Sequence, residues 1–125
     1  MDELVRWLGV QLDEDERTAR ATEWDGSGNK LDWELMASAT IDVGGDEFYV
    51  GDRTIANHMM AWDPARVLRE ISAKRQALAH YARVCQLTKD GDEAYLLAEG
   101  VAAKQIQIMG TAYDHRPGYR EEWRP

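Results

Sequence analysis

LDWELMASATIDVGGDEFYV, from Leu31 to Val50, decides the fold class of this chain. Leu31, Trp33, Leu35, Ala37, Ala39, Ile41 and Val43 hold the odd positions, while Asp32, Glu34, Ser38, Thr40 and Asp42 hold the even ones, with Met36 the exception. Successive side chains of a strand point to opposite faces, so this pattern predicts one strand with a single buried face. Gly44 and Gly45 supply the positive φ angles of a tight reversal, and EFYV follows as a second, shorter strand. A hairpin alone is marginal in water, so this one must pack on helices or pair its edge with a partner. The second route gives a homodimer by strand addition.

Helices are expected on both sides. Upstream, from about Asp2 to Glu23, Val5, Leu8, Leu12 and Ala19 fall near one face, and Asp2 and Glu3 sit where the helix dipole favours anions. Asp13 with Arg17 and Glu16 with Arg20 have the i to i+4 spacing of exposed ion pairs. The turn formers of WDGSGNK end this helix. Asp25, Ser27 and Asn29 imitate the start of a calcium loop, but Lys30 stands where the sharp turn needs glycine and Met36 where the bidentate glutamate belongs. A calcium site is rejected on that ligand count.

Downstream, Asp52 caps a short helix to about Ala61, and Asp63 caps another with Pro64 at its first position, running to about Leu87. Its apolar stripe of Val67, Leu68, Ile71, Leu78, Tyr81, Ala82 and Cys85 is interrupted by Lys74 and Arg75. Asp90 or Asp92 then caps a last helix to about Ala112, whose alanines, with Gly100 and Gly110, let another helix approach closely. The short connection makes these two helices antiparallel neighbours. The fold class is therefore α+β in one domain, 1–125: an N-terminal helix, a β-hairpin at about 31–50, a short helix, a long antiparallel helix pair at about 64–112, and an extended C-terminal tail, 113–125.

The 125 residues are 44% apolar, enough for one packed core, and no apolar run approaches the length needed to cross a bilayer. The acidic, amphipathic start lacks the pattern of a secretory leader, and Cys85 is the only cysteine, which suits a reducing cytoplasm. A net charge of −8 disfavours direct binding of nucleic acid, whose affinity comes from Lys and Arg displacing counterions.

Motifs for nucleotide, metal or nucleophile-elbow chemistry do not occur in the sequence, so no cofactor and no metal is expected. Asp42, Asp46 and Glu47 make an acidic turn, but turns are acidic for conformational reasons as well. Cys85 lies on the apolar side of its helix and reads as a buried, inert thiol. Arg75 and His80 have the Arg-x4-His spacing that resembles the motif of HEPN-type ribonucleases, where arginine holds the scissile phosphate and histidine moves the proton. Lys74 and Arg75 are also candidate anchors for a small anionic ligand.

The chain ends YDHRPGYREEWRP, with Tyr113, Tyr119 and Trp123 set among Arg116, Arg120 and Arg124. Disordered segments lack such aromatics, so the tail is expected to dock on its own domain. Tyr119, Arg120, Trp123 and Arg124 are also the residue types that hold partners at interfaces, and they are the candidate partner-binding set.

DPARVLREISAKRQALAHY, Asp63 to Tyr81, together with HRPGYREEWRP, His115 to Pro125, and the opening MDELVRWL, resembles a family of small actinobacterial and actinophage proteins of unknown function. The resemblance implies a setting in such bacteria and their mobile elements, and carries no catalytic residues. The resulting expectation is a non-enzymatic acidic accessory protein that binds a host or phage protein in the cytoplasm and modulates host machinery.

Overall fold

The computed structural model describes residues 1–24, 30–91 and 93–125. It is α+β, in the expected order but with one more strand. Helix α1 spans Asp2–Ala21, strands β1, β2 and β3 span Trp33–Met36, Thr40–Val43 and Asp46–Tyr49, and helices α2, α3 and α4 span Arg53–Ala61, Pro64–Lys89 and Tyr95–Gly110. Two 3-10 turns, Thr111–Tyr113 and Glu121–Trp123, shape the tail. The chain packs as two compact units, one of residues 1–13 and 72–125, the other of residues 14–71. No linker marks their boundary in the sequence, because it falls inside α1 and inside α3.

In the unit of residues 14–71, the single strand expected over Leu31 to Val43 is two strands. Met36 pairs with Thr40, Leu35 with Ile41, Glu34 with Asp42 and Trp33 with Val43, so the chain reverses through Ala37–Ala39. Ser38 and Ala39 take φ of 63° and 53°, left-handed values that cost a non-glycine residue about 1–2 kcal/mol. The second reversal is as expected, with Gly44 and Gly45 at φ 59° and 99° joining Val43 to Asp46. The result is an antiparallel sheet in the order β1-β2-β3.

One face of this sheet carries Leu35 and Ile41, and α2 covers it around a core of Ala39, Ile41 and Ala56. The Asp52 carboxylate accepts the Ile55 N–H at 3.0 Å and the Asp63 carboxylate accepts that of Arg66 at 2.9 Å, so both expected caps form. The candidate calcium ligands Asp25, Ser27 and Asn29 lie outside the described residues.

The unit of residues 1–13 and 72–125 is built on Leu4, Leu8 and Leu12 of α1, all fully buried. Leu4, rather than the expected Val5, opens the buried stripe. Gly110 at the end of α4 lies beside this stripe, where a Cβ would come 3.5 Å from Leu4. Within this unit Tyr81 and Val84 are the buried positions of α3, whereas Ala82 is exposed. Asp90 does not cap α4; its carboxylate accepts the Gln86 side chain at 2.9 Å, and the residue preceding α4 is Ala94, whose side chain offers no capping group. Asp92 lies outside the described residues.

The tail folds back on α1 of the same unit. The ring centroids of Trp7, Tyr119 and Trp123 lie 5.6–5.7 Å apart pairwise, within the range of favourable aromatic contacts. Trp7 Nε1 donates to the Pro117 carbonyl at 3.2 Å, and Gly118 passes beneath the indole at φ +89°. A Cβ there would meet Trp7 Nε1 at 2.7 Å as well as straining the backbone. Gly118→Ala is therefore expected to destabilise the protein by roughly 2 kcal/mol, and Gly9→Ala, in open space inside α1, to stabilise it by about 0.5–1 kcal/mol. Thermal unfolding of both variants reads the two opposite shifts.

Candidate functional site

The residues singled out by sequence fall into three settings. Lys74 and Arg75, the expected anion anchors, are engaged by the protein itself. Lys74 Nζ donates to Tyr113 Oη at 2.8 Å and lies 4.9 Å from that ring's centroid, while Arg75 Nη2 donates to Asp13 Oδ1 at 2.8 Å. Asp13 thus meets Arg75 rather than Arg17. The Glu16–Arg20 pair forms as expected, at 3.0 Å.

His80 lies elsewhere. It lines a groove of about 560 Å³ between α3 and α4, with Tyr81, Val84, Leu97 and Val101. Arg75 meets Asp13 of α1, whereas His80 lines the groove toward α4. Cys85 is half-buried, and its thiol donates to Glu99 Oε1 at 3.6 Å. Burial pushes the Tyr81 phenol up from its ordinary value, and the neighbouring Cys85 adds to the shift.

Of the tail residues expected to meet a partner, Trp123 is buried and Tyr119 half-buried, while Arg120 and Arg124 stay exposed. Trp123 is buried against Trp7 and Tyr119. Arg120 binds Glu3 on α1, and Arg124 bridges Glu121 at 2.6 Å and Asp114 at 3.1 Å. The hydrogen bonds from Arg124 hold the Glu121 carboxyl below its ordinary range, and the two carboxylates push the Arg124 guanidinium up. Arg116 closes the tail's start, donating to Gln11 at 3.4 Å and lying 4.9 Å from the Tyr113 centroid. These contacts make the tail a structural closure.

What the sequence reading missed is the outward face of the sheet. The two registers align Glu34, Asp42 and Glu47 in one row across all three strands, and Met36, Thr40 and Tyr49 in the next. Directly opposed like charges destabilise a sheet, and no Lys or Arg occurs between Lys30 and Arg53 to offset them. Among the described residues, no group of three or more His, Cys, Asp or Glu is placed to hold a metal ion, so the row does not converge on a cation. All four residues of β3 are exposed, including Phe48 and, at 78% exposure, Tyr49. Val50 donates to Ala39 within the sheet, so by alternation Glu47 and Tyr49 turn their backbone N–H and C=O groups to the open edge. The missing signal was the reversal at Ala37–Ala39, without which the row does not exist.

The fold and these surfaces define a small acidic α+β protein whose helical unit is closed by its own C-terminal segment. The chain belongs to DUF6221, a family of unknown function, whose model matches residues 1–125. No curated protein and no solved structure matches it.

One polar atom of the tail is unsatisfied. Tyr119 Oη is buried without a hydrogen-bond partner, a state that costs about 1–3 kcal/mol. Tyr119→Phe is therefore expected to keep the ring packing and raise stability by about 1 kcal/mol, read as a higher midpoint in urea.

Proposed function

We propose that this chain is a non-enzymatic accessory protein that works by binding another protein, in the cytoplasm of an actinobacterial host and in a phage or prophage setting where it modulates host machinery. The observation that carries the reading is the outward sheet face, where the row of Glu34, Asp42 and Glu47 lies beside Tyr49 at an open strand edge. A row of uncompensated carboxylates weakens the sheet that bears it, and a cationic partner removes that repulsion on binding. The open edge of β3 accepts an extended segment by main-chain pairing, and Tyr49 supplies the aromatic contact that interfaces favour. The partner's binding segment is therefore an extended stretch bearing Lys or Arg.

All but one of the eight net negative charges of the chain belong to residues 14–71, which concentrates the field on the unit that carries this face. Such a field speeds encounter with a basic partner and is screened by salt, with a Debye length of about 8 Å at physiological ionic strength.

The test is a side-by-side capture from actinobacterial lysate treated with nuclease, using the wild-type chain and a Glu34→Lys/Glu47→Lys variant of unchanged melting temperature. A protein held by wild type, released by high salt and absent from the variant is the expected result. Equal retention by both baits would contradict the assignment.

A further inference from the structure

The unit of residues 1–13 and 72–125 leaves a different surface open. Along α4, Leu96, Leu97, Val101 and Ile108 are 57%, 80%, 58% and 49% exposed. Leu97, Val101 and Gln105 follow each other at i+4 spacing and form a single ridge. Grooves flank it on both sides. One, of about 560 Å³, lies toward α3 and is lined by Ala77, Ala98 and Ala102 among others; the second, of about 340 Å³, runs past Leu96, Gly100 and Lys104. Nothing lies within 4 Å of the position a Gly100 Cβ would take.

We propose that this face of α4 is the contact between two copies of the chain, related by a two-fold axis. The surface is self-complementary: each copy presents a ridge and, displaced to its side, a groove with small residues in its wall. Ridges of one helix packing into grooves of another is the general rule of helix association, and an isologous dimer requires both parts on one face.

Charge identifies the occupant further. Residues 1–13 and 72–125 together carry a net charge of only −1, so the unit that bears this face adds little repulsion of its own between two copies. Area agrees. The exposed apolar side chains of α4 offer on the order of 500 Å² per copy, at the upper end of the largest apolar patch found on monomers, about 300–600 Å². With a polar rim from Glu93, Lys104 and Gln105 the contact reaches the roughly 800 Å² per partner of a standard interface.

This inference is independent of the acidic sheet face and survives its failure. Sedimentation of the wild-type chain over a micromolar to submillimolar range is expected to show a species of twice the 14.2 kDa chain mass. Leu97→Asp, at an exposed position, should weaken that association at least tenfold with helicity unchanged. Gly100→Leu provides a second variant. It adds a side chain into open space and favours the helix, so the folded monomer is retained while close approach of a second helix is blocked. A wild-type chain that stays monomeric overturns the proposal, whether the face is then taken by another protein or by none. A dimer indifferent to both substitutions overturns it equally, by placing the contact elsewhere.

Discussion

The helical unit depends on one contact, the indole of Trp7 held between the chain's two ends. Trp7 lies on the second turn of α1, and Pro117, Gly118, Tyr119 and Trp123 close over it from residues more than a hundred positions away. Each partner contributes something different. Pro117 accepts the indole N–H, Gly118 allows the backbone to pass close, and Tyr119 and Trp123 enclose the ring with apolar area of the kind that dominates core energetics. Arg120 then ties the turn to Glu3, and Arg116 ties its beginning to Gln11. The exposed Arg120–Glu3 ion pair contributes little by itself, so its effect is to fix the register of a segment that the aromatics hold.

This closure explains why tail and interface exchange roles. In the tail, Tyr113 and Trp123 are buried, and Arg120 and Arg124, though exposed, are held by carboxylates of the same unit. The surfaces left for other molecules are then the ones the tail does not cover: a carboxylate row on a sheet and an apolar ridge on α4. The two differ in charge and chemistry, so they select different partners. On the proposed readings, the acidic face takes a basic segment and the nearly neutral apolar ridge a second copy of the chain.

Most helices were legible because their signals are local. Asp52, Asp63 and Pro64 mark two helix starts by chemistry alone, and both carboxylates make the bonds expected of them. The break at Ala37–Ala39 was hidden for a geometric reason. A three-residue turn that pairs Leu35 with Ile41 places odd positions opposite odd positions, so the alternating pattern runs through the reversal undisturbed. Ser38 and Ala39 carry no turn signature, and only the length of the run, more than twice the usual five or six residues of a strand, hinted at it. The same parity set Glu34 opposite Asp42, and the two-residue Gly44–Gly45 turn extends that pair to Glu47, so the full row could not be read before the first turn was known. The tail was the converse case: its aromatics foretold docking, but Trp7 as the recipient is a contact of long sequence separation that no local pattern encodes.

The helical unit requires the tail as part of its fold, and removing the tail tests that most directly. A chain ending at Ala112 loses Tyr113, Tyr119 and Trp123, the first and last of them buried, and strips Trp7 of its aromatic partners. Its thermal midpoint should fall by well over 10 °C, since each kcal/mol shifts a domain of this size by about 3–6 °C and truncating one buried aromatic alone costs roughly 3–5 kcal/mol. An unchanged midpoint would mean that the tail only rests on α1, and that Trp123 and its arginines are free to meet a partner after all.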